Sequence, residues 1–112
     1  TYIKAYDDAL ANVDVLVMPT CISTAPKNHT PGSYLEAVED NLASANSKGS
    51  RNTMPFNYTG HPAMALPVGK SPAGLPASMQ IVGRFFDDPL VMRTAYAYQQ
   101  SVDWDKIIGV GS

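Results

Sequence analysis

Few side chains in this 112-residue sequence have the types and spacing that chemistry requires. There are two histidines, His29 and His61, and one cysteine, Cys21. A structural or catalytic zinc needs three or four His, Cys or carboxylate ligands at close, defined spacings. The two histidines stand far apart, with no cysteine pair or close acidic ligand set beside them, so no metal site is expected. Cys21 could act as a nucleophile only with a base and an orienting group, and nothing in the sequence places either. It reads instead as a small, half-buried side chain that follows a strand.

The remaining short motifs also have simpler explanations. Gly69-Lys70-Ser71 imitates the end of a phosphate-binding loop, but that loop needs a glycine five positions before Gly69, where Met64 stands. The sequons at Asn28 and Asn57 matter only in a secreted protein. Asp87-Asp88 fits the negative charge preferred at a helix start better than a catalytic acid pair. Ser47-Lys48 and Lys70-Ser71 are neighbours in sequence without a surrounding catalytic motif.

The elements that would position these residues follow an α/β pattern. Ile3, Tyr6, Leu10 and Val13 recur at the spacing of one helix face. Val15-Leu16-Val17-Met18 is a continuous apolar run stopped by Pro19, which predicts a strand buried on both faces. Pro19 to Gly32 reads as loop. Ser33 to Glu36 has the pattern of a capping box and predicts a helix with Leu35, Val38, Leu42 and Ala45 inward, ending near Asn46 to Gly49. Arg51 to Pro62, dense in Asn, Thr, Pro and Gly, predicts a structured turn or short broken helix. Ala63 to Val68 and Ser78 to Val82 are predicted neighbouring strands. Asp88 as N-cap and Pro89 at the first helical position then open a helix whose inner face is Val91, Ala95, Tyr98 and Val102.

Composition bounds the rest. The length suits one small domain, and 16% charged residues is low against roughly 25% for ordinary soluble domains. The expectation is a segment of a larger body, and the start at Thr1 without Met suggests the same. A net charge of -2 with scattered Lys and Arg argues against nucleic acid, and no apolar run approaches a membrane span. A soluble protein of a reducing compartment, the cytoplasm, is expected.

Three stretches carry a resemblance. They are Asp14-Val15-Leu16-Val17-Met18-Pro19-Thr20; then Asn52-Thr53-Met54-Pro55-Phe56-Asn57-Tyr58-Thr59-Gly60-His61-Pro62-Ala63 running into Ala65 to Gly69; and Gly74-Leu75-Pro76 with Met79 to Arg84 and Phe86-Asp87-Asp88. In order and spacing they resemble the last quarter of amidase-signature enzymes, over most of the chain from Tyr2 to Gln100. The second stretch is most similar to amidases that hydrolyse small aliphatic or aromatic amides.

The resemblance implies the carboxy-terminal part of a mixed, helix-covered β-sheet, one incomplete segment of a single domain spanning residues 1–112. It implies an amide hydrolase in which one serine attacks the carbonyl, a lysine takes its proton through a bridging cis-serine, and backbone N–H groups hold the oxyanion, a chemistry that implies no metal or organic cofactor. The family's glycine- and serine-rich catalytic stretch has no counterpart in this sequence, so the chain alone is expected to be inactive, with the missing amino-terminal part as its partner. A homodimer is compatible with the resemblance.

By the same resemblance, the region from Ser50 to Phe56 approaches the acyl pocket. Relatives acting on glutamine carry an aspartate where Ser50 stands, so a small neutral amide is the implied substrate. Ser50, Thr53, Met54 and Phe56 are the implied substrate-binding residues, with Met54 and Phe56 as apolar walls; ordinary core packing is the alternative for Thr53, Met54 and Phe56. A non-catalytic binding or subunit-interaction domain derived from the same fold is the alternative function.

Overall fold

A computed structural model describes residues 1–25, 32, 35, 36, 38, 39 and 51–109. Seven elements are described in chain order: α1 (Tyr2–Leu10), β1 (Leu16–Pro19), α2 (Met54–Thr59), β2 (Ala63–Lys70), β3 (Pro76–Val82), α3 (Asp88–Ser101) and α4 (Trp104–Ile108). The strands form one antiparallel sheet in the order β1-β3-β2. The mixed α/β architecture expected from the sequence is present.

Local chemistry sets most element ends. The Thr1 hydroxyl accepts from the Lys4 N–H at 3.3 Å and caps α1. α2 stops at Gly60, which takes a left-handed φ of 83° and donates its N–H to the Phe56 carbonyl. That conformation costs L-residues about 1–2 kcal/mol, so glycine is the residue suited to it. Pro67 lacks an N–H for the ladder, and it is accommodated because β2 lies at the sheet edge with a register shift between Pro67 and Gly69.

Strand alternation gives the sheet two different faces. Val15, Met64, Met79 and Ile81 share one face and pack with Leu66 against Val91, Ala95 and Tyr98 of α3 and Trp104 of α4. Gln80 and Val82 belong to the other face and are also buried. There the Gln80 amide reaches the chain just before α2.

Several expectations need correction. β1 is not buried on both faces: it is an edge strand paired with β3, and Val17 is 59% exposed. Val17 shares the face of its partner Ile81 and of Val15, but the helix-packed core does not extend over it among the described residues, while Leu16 and Met18 on the other face are half-buried. On α1 only Leu10 is buried, while Ile3 and Val13 are exposed. α3 starts one residue earlier than expected, with Asp87 as N-cap. The Asp87 side chain makes no capping bond; its backbone carbonyl accepts from Leu90 and Val91 instead. The inner face of α3 is as expected at Val91 and Ala95, which are buried, and at Tyr98, which is half-buried, whereas Val102 lies past the helix end in extended backbone. α4 has no counterpart in the sequence pattern, because its five residues are too few to show a period.

The helix expected from Ser33 to about Asn46 lies largely outside the described residues. Within them, the Glu36 carboxylate accepts from the Gly32 N–H at 2.8 Å, the kind of backward reach a capping carboxylate makes.

Candidate functional site

The junction between the end of β1 and the start of α2 holds Thr53 and Met54, two of the residues that the sequence marked for substrate binding. Asn52 donates its side-chain amide to the Pro19 carbonyl at 2.8 Å, and Gln80 of β3 donates to the Asn52 carbonyl at 2.7 Å. The buried Gln80 amide therefore sets where Asn52 sits, and Asn52 in turn ties α2 to β1. A glutamine inside a sheet face is costly unless bonded, and here the bond fixes the chain immediately before Thr53.

Thr53 is half-buried at the N-cap of α2, and Met54, the first helical residue, is 59% exposed. Phe56 lies elsewhere: it is 5% exposed, with its ring against Tyr6 of α1 at 4.9 Å between centroids. The structure thus separates the two apolar side chains by environment, Met54 facing outward and Phe56 packed beneath. Ser50 lies outside the described residues, as do His29, Asn28 and Ser47-Lys48.

A second polar cluster lies at the other end of α2, and sequence reasoning did not find it. The His61 side chain is fully buried. Its Nδ1 is 2.8 Å from Thr59 Oγ1 and its Nε2 is 2.9 Å from Asp7 Oδ1 of α1. A carboxylate is an acceptor only, so Nε2 carries a proton, and Nδ1 shares a hydrogen bond with the Thr59 hydroxyl. The imidazole stacks on Phe85 at 4.1 Å and 24°, with the Tyr6 ring at 6.0 Å. Asp7, His61 and Thr59 resemble a carboxylate, imidazole and hydroxyl relay, but Thr59 is itself buried, so its hydroxyl cannot meet a substrate. The cluster is a fastening of α1 to the start of β2. Asp7 and His61 are separated by 54 positions, which no local sequence pattern can reveal.

Arg84 fastens the other end of α1. Its Nε and Nη2 donate to the carbonyls of Leu10 and Val13 at 3.0 and 2.6 Å. These carbonyls sit at the end of α1 and just past it, where a cation is favoured.

The remaining candidates have no chemical surroundings. Cys21 is exposed rather than half-buried. Gly69-Lys70-Ser71 closes the β2–β3 hairpin, where Ser71 donates its N–H to the Leu75 carbonyl and its carbonyl accepts from the Gly74 N–H. Among the described residues, no group of three or more His, Cys, Asp or Glu side chains could hold a metal ion, and no helix is long and apolar enough to cross a membrane.

The comparisons with known proteins bear on this arrangement. A family model described as Amidase matches residues 1–92, which include both polar clusters and the whole sheet. The chain belongs to the amidase signature family. It is 38% identical over 101 residues to a glutamyl-tRNA(Gln) amidotransferase subunit from Picosynechococcus sp., covering 90% of this chain and 19% of that protein. The corresponding glutamyl-tRNA(Gln) amidotransferase subunit from Methanosarcina barkeri is 39% identical, with 88% and 19% covered. This amidase-family chain therefore spans about a fifth of the length of these relatives.

Among solved structures, the glutamyl-tRNA(Gln) amidotransferase subunit of Thermotoga maritima superposes with a TM-score of 0.66 at 28% identity, over 90% of this chain and 20% of its own. A bacterial aryl acylamidase of the amidase signature enzymes superposes with a TM-score of 0.74 over 99% of this chain and 23% of its own; at 22% identity it shows the shared fold. By name, these relatives transfer or cleave amide groups.

Proposed function

We propose that this chain is the carboxy-terminal segment of a longer amide hydrolase, with residues 1–112 forming part of one amidase-signature domain. The reaction is conversion of a neutral carboxylic amide and water to the acid and ammonia. An upstream serine oxygen bonds to the carbonyl carbon while the bridging cis-serine and lysine take its proton. That proton returns to the departing nitrogen, and water then cleaves the acyl-serine ester. The observation that carries this reading is the family match over residues 1–92, together with relatives whose names describe amide chemistry.

The role of the chain itself is to shape the acyl side of the pocket. Ser50, Thr53 and Met54 form its wall, and Phe56, packed against Tyr6, supports that wall from beneath. A serine at position 50 supplies no negative charge, which favours an uncharged substrate over one bearing an ammonium. Met54, exposed in this chain, offers the apolar surface such a substrate needs.

The test is ammonia release from a neutral amide such as benzamide, by the complete protein and by the 112-residue chain in parallel. Turnover by the complete protein alone is expected. Turnover by the isolated chain would refute the upstream placement of catalysis. A complete protein inert on neutral amides would favour a non-catalytic interaction domain derived from this fold.

A further inference from the structure

The two sides of α2 differ. Phe56 and Thr59 are buried and engage Tyr6 of α1 and His61, which fills the inner side of the helix. Met54 and Tyr58 stand four positions apart, the spacing that puts two side chains on one side of a helix, and both are exposed, Tyr58 at 74%. The Tyr58 ring meets the exposed Tyr2 ring of α1 edge to face, with centroids 6.2 Å apart and planes at 82°. Single exposed apolar side chains are ordinary on a protein surface, but this row of three, two of them paired aromatics, forms a patch of the kind that marks a binding surface.

The place of Tyr58 relative to Met54 says what it meets. Four residues of helix rise about 6 Å, so Tyr58 carries the apolar surface that begins at Met54 further along α2 by that distance. A short aliphatic acyl group lying on Met54 ends before Tyr58, whereas an aromatic or longer alkyl group reaches it. We propose that Tyr58 is a specificity-determining residue of the acyl pocket, its ring packing on the aromatic or extended acyl group of a neutral amide and favouring it over a short aliphatic one. Tyr2, whose ring abuts Tyr58, is the positioning residue that holds it there. This inference rests on the reading that Met54 borders the acyl pocket.

The experiment measures kcat and KM for benzamide and for propionamide with the complete protein and its Tyr58→Ala, Tyr58→Phe, Tyr2→Ala and Met54→Ala variants, alongside the thermal unfolding midpoint. The expected result for Tyr58→Ala is a KM for benzamide raised about three- to tenfold relative to that for propionamide, the fold-change of one lost aromatic contact. Tyr58→Phe keeps the ring and should keep the unmodified ratio. Tyr2→Ala should shift the ratio in the same direction by less, and an unshifted ratio refutes its positioning role. The midpoint of Tyr58→Ala should stay nearly level, because the ring is exposed and alanine is the better helix former. A midpoint that falls sharply means that the ring is packed against the rest of the protein and overturns the proposal, as does a KM that rises equally for both amides or for neither. A Tyr58→Phe variant as impaired as Tyr58→Ala overturns it too, since the hydroxyl and not the ring would then make the contact. If the unmodified protein turns over no neutral amide, or Met54→Ala leaves both KM values unchanged, the proposed pocket falls first and takes this inference with it. An effect of Met54→Ala beside an unaffected Tyr58→Ala refutes the Tyr58 contact alone.

Discussion

Gly83 is where the end of β3 meets α3 most closely, and replacing it with alanine tests that packing directly. The added Cβ would lie 2.6 Å from Cγ2 of Val91, whereas carbon atoms rest about 3.5–4.0 Å apart. About 1 Å of overlap must be relieved, and Val91 is a poor candidate to yield because a β-branched side chain in a helix has essentially one χ1 state. The helix itself must shift. Overpacking of this size costs about 1–3 kcal/mol, against which loss of glycine entropy in the unfolded chain returns about 0.4–1 kcal/mol. The net expectation is about 1–2 kcal/mol of local destabilisation.

The assay is amide hydrogen exchange of the complete protein, read by mass spectrometry on peptides spanning β3 and α3. A loss of that size accelerates exchange there by about five- to thirtyfold. Val91→Ala removes the methyl that clashes, and alone should cost about 2 kcal/mol as a core truncation. Combined, the two substitutions should cost about 1 kcal/mol or more less than their sum, because each relieves the other. Costs that add to within about 0.5 kcal/mol would refute the reasoning, since the two side chains would then not compete for the same space.

Other perturbations follow from the two fastenings of α1 and from the exposed surface. His61→Ala leaves Asp7 without a donor, leaves the buried Thr59 hydroxyl only the long 3.5 Å bond from the backbone N–H of residue 61 and removes the ring stacked on Phe85, for about 3–4 kcal/mol in all. Exchange should accelerate in Tyr2–Leu10 far more than in Asp88–Ser101, and an equal effect on both helices would contradict the fastening role. Arg84→Lys should be nearly as damaging to α1 as Arg84→Ala, about 1–2 kcal/mol, because a lysine cannot reproduce the forked donation to Leu10 and Val13. The ion pairs of Arg84 with Asp14 and Asp87 are long, at 3.9 Å, so high salt should not mimic either variant. Phe86 is 94% exposed and holds a φ of 62°, so Phe86→Gly should stabilise the chain by about 0.5–1 kcal/mol; a clear loss would mean the ring is packed in the complete protein. The Lys4 ammonium, hydrogen-bonded to and charge-paired with Asp8, holds its proton above the usual lysine range of 10.5. Its folded pKa being raised, the benefit is fully present below 10.5 and disappears as pH rises through the folded value. Lys4→Gln should therefore lower the thermal unfolding midpoint slightly at neutral pH and leave it unchanged once the native lysine has lost its proton. A deficit that grows above pH 10.5, or a large one at neutral pH, would be inconsistent with so exposed a pair.

Elements with local signals were legible in the sequence. Periodicity identified the inner face of α3 through Val91 and Ala95, the turn residues between Val68 and Ser78 separated two neighbouring strands, and the stretch from Arg51 to Pro62 was expected as a turn or short helix and holds α2. The quoted stretches from Asp14 to Asp88 also sufficed for the family, because they keep order and spacing along the chain. Tertiary contacts were needed to make β1 an edge strand among the described residues, to turn Met54 outward while Phe56 lies under Tyr6, and to bury the Thr20 hydroxyl. The same holds for the fastenings of α1, where Asp7 meets His61 across 54 positions and Leu10 meets Arg84 across 74. The physical reason is common to all of these. Periodicity, caps and turns arise between residues a few positions apart, whereas burial and hydrogen bonding depend on which distant segments the folded chain brings into contact.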